Sequence, residues 1–288
     1  MEVRQNLRAG KIVFGRYIGA NGRTITPKGA GRGSTGVSPA CRGASGRAPR
    51  RRDAGAPGQH AQSELRFFMK DSYIAAKERW ARKMAGQAQS QPRSTNRLPP
   101  GQRQVHNFPV LDLGVRPDVP LDKWELKIHG HVENPLTLNW QQFLALPQFK
   151  DVSDFHCVTT WSQFDMAWEG VAFFTIAEMV KPKAEASHVF FKSYDGYSTN
   201  NPLDACLDDD VLIAHKWNGK RLSADHGGPA RVIIPKRYAW KGAKFIREIT
   251  FWDRDILGFW EVRGYSNTAD PWTGDRFAAK DKIPPGFP

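Results

Sequence analysis

The sequence predicts an α+β fold in which a few short helices accompany mixed sheets. Three observations carry that expectation. Short apolar segments with period-two spacing recur after residue 120. Two pairs of segments are separated by hairpin dipeptides, Asp195-Gly196 and Asn218-Gly219. The helical stretches between them are short and stop at proline.

Taken in order, residues 1–68 read as an unstructured basic arm. They hold 13 Lys and Arg against three acids, and 12 of the 26 glycines. Such a composition buries too little apolar surface to offset the entropy of ordering. The net charge of +13 is concentrated there, and the remaining 220 residues carry only +3. The body therefore gives no charge-based reason to expect a nucleic-acid surface. The arm itself fits either a nucleic-acid-associated scaffold or sequence upstream of a later start at Met69; its scarcity of aromatic residues argues against base stacking.

Residues 69–103 are expected to form a helix and a polar linker. Ile74, Ala75, Trp80, Ala81 and Met84 fall near helical spacing. The folded domain is expected over 104–288. Trp124–Ile128 alternates as a strand, and Asn139 can cap a helix from Trp140 to Leu146 before Pro147. Thr175-Ile-Ala-Glu178 has capping-box spacing and predicts a helix reaching Val180. His188–Ser193, Val211–His215, Arg221–Leu222, Arg231–Ile234 and Phe245–Trp252 predict strands. All ten tryptophans lie after residue 79, which places the core in this part of the chain.

Three cysteines, Cys41, Cys157 and Cys206, are too few for a disulfide framework and suggest a reducing compartment. No run of about 18 apolar residues marks a membrane span. Arg50-Arg51-Arg52 is followed by Asp-Ala-Gly-Ala-Pro-Gly, unlike an export signal. The expected location is the cytoplasm.

Cys157 is the residue with most chemical potential. It lies in Val152-Ser-Asp-Phe-His-Cys-Val-Thr-Thr-Trp-Ser162. It could be a nucleophile, a lone thiolate ligand or an inert core thiol. A cysteine hydrolase needs an imidazole in reach; adjacent His156 would point to the opposite face of an extended segment, leaving His215 or His226. A structural zinc site lacks short-spaced ligand pairs, apart from His129 and His131. Downstream, Asp225-His-Gly-Gly-Pro-Ala-Arg231 offers glycines for close backbone approach and an arginine able to grip a phosphate with two parallel hydrogen bonds. Lys241-Gly-Ala-Lys244 adds two cations and small residues whose amides could meet an anion. A thiolate beside an anion cradle suggests a phosphorylated cofactor whose metal the thiolate caps.

At this point the chain resembles a known family. Ser153–Ser162, Trp168-Glu-Gly-Val171, Ser193-Tyr-Asp-Gly-Tyr197, His226–Arg231, Tyr238-Ala-Trp-Lys-Gly-Ala-Lys244 and Gly258-Phe-Trp-Glu-Val-Arg-Gly-Tyr265 look like the molybdopterin-binding domain of the sulfite oxidase family. The resemblance covers roughly residues 104–275 and is nearest to the soluble sulfite-oxidase-like branch, itself similar to the catalytic subunit of the periplasmic methionine-sulfoxide reductase. It implies a sulfite-oxidase-type fold and a molybdenum-molybdopterin cofactor. Cys157 would supply the protein thiolate on molybdenum, with two sulfurs from the pterin. His226, Arg231, Ser193 and Lys244, with the backbone of Gly242 and Ala243, would contact the pterin and its phosphate, as would His106, Asn107 and Phe108. Where this chain has His106 and Pro109-Val110, the periplasmic reductase has Asn and Tyr-Glu. Trp161 and Trp168 could wall the substrate channel, and Tyr197 and Tyr238 could donate hydrogen bonds near the metal. The implied activity is two-electron oxygen-atom transfer on a small S-oxide or N-oxide, or on sulfite, with an unidentified electron-transfer partner. Val158-Thr-Thr-Trp161 follows the cysteine without the arginines that gather around the metal in sulfite oxidases, which points away from sulfite.

Overall fold

The structure, a computed structural model, describes residues 71–88 and 97–279. The basic arm and the Met69 start lie outside these residues. Among the described residues no helix is long and apolar enough to cross a membrane.

The elements run α1 (Asp71–Ala88), β1 (Arg103–Gln104), β2 (Glu125–Gly130), β3 (Leu136–Asn139), α2 (Trp140–Ala145), β4 (Phe149–Cys157), β5 (Trp161–Ala172), α3 (Phe173–Val180), β6 (His188–Ser193), β7 (Ser198–Pro202), α4 (Leu203–Cys206), β8 (Leu212–Trp217), β9 (Lys220–Arg221), β10 (Arg231–Ile233) and β11 (Ile246–Trp252). They form a six-stranded sheet with β5 and β8 at its centre and a five-stranded sheet in the order β3-β2-β11-β6-β7. Each sheet holds one parallel pair, β1 with β5 and β2 with β11, and is otherwise antiparallel. The mixed-sheet α+β expectation is met.

Period-two alternation explains how one sheet serves two cores. On β8, Ile213 enters the core shared with the five-stranded sheet, while Leu212 and Ala214 enter a second core. On β10, Val232 faces the first and Ile233 the second. Both faces of these strands are covered, so they read as continuous apolar runs. The second core also contains Cys157, Trp161 and Trp168.

Local chemistry sets several boundaries. Asn139 Oδ1 accepts from the Gln142 amide at 2.9 Å, and Gln142 Oε1 accepts from the Asn139 amide at 2.9 Å, closing a capping box that starts α2. Asn218 and Gly219 both take positive φ, at 48° and 74°, in the tight turn between β8 and β9. The capping-box reading of Thr175 fails. The helix begins at Phe173, where the amide donates to the Val211 carbonyl at 2.9 Å, and Thr175 lies inside it. The long β4–β5 hairpin was not expected as a pair of strands.

Candidate active site

The β4–β5 hairpin presents Cys157. It is the last residue of β4 and pairs with Trp161, the first of β5. The Thr160 amide donates to the Cys157 carbonyl at 3.1 Å, with Thr160 at φ 72°. Gln102 Nε2 donates to the same carbonyl at 3.0 Å. The turn therefore holds the cysteine rigidly at the wall of a cleft of about 920 Å³, open to solvent.

His156 turns the other way, as strand alternation requires. Its Nδ1 meets Ser162 Oγ at 2.8 Å and its ring packs edge-on to Trp272. Burial holds its pKa down to about 4. His215 belongs to the other side of the sheet, beside Trp140 and Phe143, with Nε2 2.9 Å from Gln148 Oε1. Neither is an activating base for Cys157. The thiol is pushed up by burial, opposed by the Thr159 hydroxyl and amide and by Lys244 and Arg231.

Three further predicted residues, His226, Arg231 and Lys244, line the same cleft. Arg231 opens β10 and is 2% exposed. Its Nη1 donates to the His226 carbonyl at 3.0 Å, its guanidinium faces the rings of Phe155 and Trp168, and its Nε is buried without a partner. Burial pulls its pKa down to about 10. Lys244 Nζ donates to the carbonyls of Leu111, at 2.6 Å, and Asp225, at 2.7 Å. Burial and then Arg231 lower its pKa to about 7. His226 stacks on Phe108 with ring centroids 4.1 Å apart and planes 8° apart. Burial, Lys244 and Arg231 lower its pKa to about 4, and its Nδ1 is buried without a partner.

Among the described residues neither Arg231 nor Lys244 is paired with a carboxylate, although isolated buried charge is costly. Two such cations and a stacked imidazole line the cleft that holds a buried thiol, and the orphaned nitrogens belong to His226 and Arg231 among them. An anionic, heteroatom-rich ligand fits that donor set. A phosphate satisfies the cations, a heterocycle has acceptors and donors for the orphaned nitrogens, and the sulfur is a soft ligand for a heavy metal.

Other predicted residues are placed differently. Phe108 lines the cleft, whereas neighbouring His106 and Asn107 are exposed and do not. Ser193 is buried with its Oγ unpartnered, but the cleft walls from that loop are Asp195 and Tyr197. Gly242 lines the cleft while its amide is engaged by the Ala239 carbonyl at 3.1 Å, and Ala243 is fully buried behind it. Lys241 is not a second cleft cation. Its Nζ bonds Glu261 Oε1 at 2.7 Å in the interior. The two glycines of the Asp225–Arg231 loop admit protein rather than ligand. A Cβ on Gly227, at φ 95°, would stand 2.8 Å from Lys244 Cγ, and one on Gly228 would stand 2.3 Å from the Leu222 oxygen. Trp161 lines the cleft, and Trp168 is core. The Tyr197 hydroxyl is committed to the Trp240 carbonyl, and the Tyr238 hydroxyl is buried away from the cleft wall. Among the described residues no cluster of three or more His, Cys, Asp or Glu is placed to hold a metal, and His129 and His131 pair instead with Glu248 and Glu185.

Sequence reasoning missed the contribution of α1. Lys77, Trp80 and Ala81 form part of the cleft wall, and Lys77 is anchored to Asp112 by an ion pair of 3.3 Å. Burial opposes ionisation of Asp112, but the Gly114 amide, Tyr73 and Arg116 hold its carboxyl well below the usual range. Asp195, also in the wall, is pushed up to about 6 by burial. The helix periodicity was visible in the sequence; its docking partner, 35 residues away, was not.

Comparison with known proteins agrees with the donor set. Residues 113–260 match the oxidoreductase molybdopterin binding domain family. The uncharacterized oxidoreductase YuiH of Bacillus subtilis is 40% identical over 187 residues, covering 64% of this chain and 93% of that protein. The protein-methionine-sulfoxide reductase catalytic subunit MsrP of Campylobacter jejuni is 29% identical over 155 residues, covering 48% of this chain and 52% of that protein. An NADPH nitrate reductase of Fusarium oxysporum is 30% identical over 153 residues, 44% of this chain and 17% of that much longer protein. With a thiol, two unpaired cations and a stacked imidazole gathered on one cleft inside the matched region, the chain belongs to the sulfite oxidase family of molybdopterin-dependent oxidoreductases.

Proposed function

We propose that this oxidoreductase carries out two-electron oxygen-atom transfer on a small neutral S-oxide or N-oxide, with electrons exchanged through a separate redox partner. The observation that carries the reading is the pair of buried, carboxylate-free cations, Arg231 and Lys244, on the cleft of Cys157. Bound there, the molybdopterin cofactor supplies the two-electron change and the oxygen-atom exchange.

The chain's own residues hold, orient and exclude water. Arg231 and Lys244 answer the phosphate. His226, uncharged at neutral pH, offers one ring nitrogen to the heterocycle while Phe108 fixes its plane. Cys157, whose carbonyl is held by the Thr160 amide and Gln102, would give the metal one thiolate. Once the phosphate occupies the two cations, the wall left for substrate is mostly apolar, built from Trp80, Val158, Trp161, Trp260 and Tyr265. Lys77, the other cationic side chain of the wall, is already held by the carbonyl and carboxylate of Asp112. A wall of this kind favours a neutral substrate with an apolar arm over an oxyanion.

The sparse cysteines, with Cys157 and Cys206 both free thiols, support a cytoplasmic location. Fractionation of the native host tests that placement.

The substrate reading is tested by assaying molybdenum-loaded protein with a reduced viologen dye against methyl phenyl sulfoxide, trimethylamine N-oxide and nitrate, and with an artificial acceptor against sulfite. Faster turnover of the neutral oxides is expected. Faster turnover of nitrate or sulfite overturns the neutral-substrate reading.

A further inference from the structure

The Cys157 sulfur has one close polar side-chain neighbour among the described residues, the Thr159 hydroxyl at 3.1 Å. Both side chains are buried, and both line the cleft. Their proximity is a product of the hairpin. Cys157 and Trp161 face each other across its end, and the Thr160 amide closes the turn on the Cys157 carbonyl at 3.1 Å. That four-residue turn folds Thr159 back beside Cys157, and Thr160, in the left-handed region at φ 72°, leads the chain on into β5. Gln102 Nε2 donates to the same carbonyl at 3.0 Å. No other hydrogen bond is recorded for the Thr159 hydroxyl among the described residues, so its proton is available to the sulfur.

We propose that Thr159 is a positioning residue whose hydroxyl donates a hydrogen bond to the metal-bound Cys157 sulfur and so raises the reduction potential of the bound molybdenum. The proposal rests on Cys157 being the cofactor's protein ligand. A sulfur bound to metal as thiolate has no hydrogen to give, so the hydroxyl must be the donor. Such a bond withdraws electron density from the sulfur and weakens its donation to the metal, which favours the reduced metal. Hydrogen bonding to a ligating sulfur is a recognised means of tuning metal potentials. Burial of both groups excludes competing water and strengthens the bond.

Three proteins are needed, each isolated with its cofactor: wild type, Thr159→Val and Thr159→Ser. Valine keeps the shape and removes the donor, whereas serine restores the hydroxyl without the methyl. The readouts are molybdenum per chain and the midpoint potential of molybdenum from a redox titration followed by electron paramagnetic resonance. The expected result is a lower potential in Thr159→Val at unchanged metal content, with Thr159→Ser close to wild type. Loss of metal in Thr159→Val with retention in Thr159→Ser also supports a role for the hydroxyl. Wild-type potential in Thr159→Val, or the same change in both variants, overturns the proposal while leaving the cofactor assignment standing. Wild-type protein that never carries molybdenum overturns both.

Discussion

Lys241 and Lys244 stand three residues apart and serve opposite purposes. Lys241 is 1% exposed and bonds Glu261 Oε1 at 2.7 Å, in a network that also takes in Asn200 at 3.0 Å and Thr199. Lys244 reaches the cleft and bonds only carbonyl oxygens among the described partners. Lys241 ends the short 3₁₀ turn Ala239–Lys241, and Lys244 follows it after Gly242 and Ala243. The first lysine is part of the interior, and the second lines the cleft without a carboxylate partner among the described residues.

That contrast predicts opposite outcomes for the same substitution. Lys241→Met strands the buried Glu261 carboxylate, and loss of one partner of a buried pair costs about 3–5 kcal/mol. Lys244→Met removes an uncompensated cation and leaves the cofactor-free protein as stable as wild type or more so, while weakening cofactor retention. Denaturant unfolding of the cofactor-free proteins, with molybdenum analysis of protein purified from a cofactor-producing host, checks both. Equal destabilisation by the two substitutions contradicts the assignment.

A pH dependence follows from Lys244. Its pKa falls to about 7 in the fold, against an ordinary value of 10.5. Between those values the unfolded chain holds a proton that the folded chain has released. Rising pH therefore favours the folded state through that window, and the gain is complete above it. The cofactor-free wild type gains stability relative to Lys244→Met as pH rises from 7 towards 10. A bound phosphate would keep Lys244 protonated and shrink the effect. Parallel stability profiles for wild type and Lys244→Met would sink this account of the lysine.

Gly227 predicts a linked loss of stability and function. Its φ of 95° disfavours any side chain, and an added Cβ would press on the Lys244 stem at 2.8 Å. Gly227→Ala is expected to cost about 1–3 kcal/mol, typical of a strained backbone position. Displacement of Lys244 should also lower cofactor content. Thermal melts and molybdenum analysis test this, and wild-type values in both exclude a clamping role for the glycine.

The fold was legible where local chemistry is self-contained. Asn218-Gly219 specifies its own turn, and Asn139 with Gln142 specifies its own cap. The β4–β5 hairpin escaped because most of β4 is not buried. Lys150, Asp151, Ser153 and Asp154 keep contact with solvent, and full burial begins only at Phe155. The alternation that marks a half-buried strand is therefore weak in the sequence. Thr175 misled for the converse reason. A capping pattern was present, but the apolar face of Phe173, Ile176, Ala177 and Val180 and the Phe173–Val211 hydrogen bond start the helix three residues earlier, with Ala172 at the N-cap.

The site was legible to the extent that side-chain type implies chemistry. Cys157, His226, Arg231, Lys244 and Phe108 do meet on one cleft. Lys241 could not be separated from Lys244 without knowing which way a single turn faces. The α1 wall depends on the Lys77–Asp112 contact, which no local pattern announces.

The most direct test is the molybdenum content of protein purified from a cofactor-producing host, measured for wild type and Cys157→Ser. Serine preserves the shape of the turn and replaces the soft sulfur by a hard oxygen. One molybdenum per wild-type chain, falling at least tenfold in Cys157→Ser with folding intact, is the predicted result. Full loading of Cys157→Ser, or molybdenum-free wild type, would contradict the account.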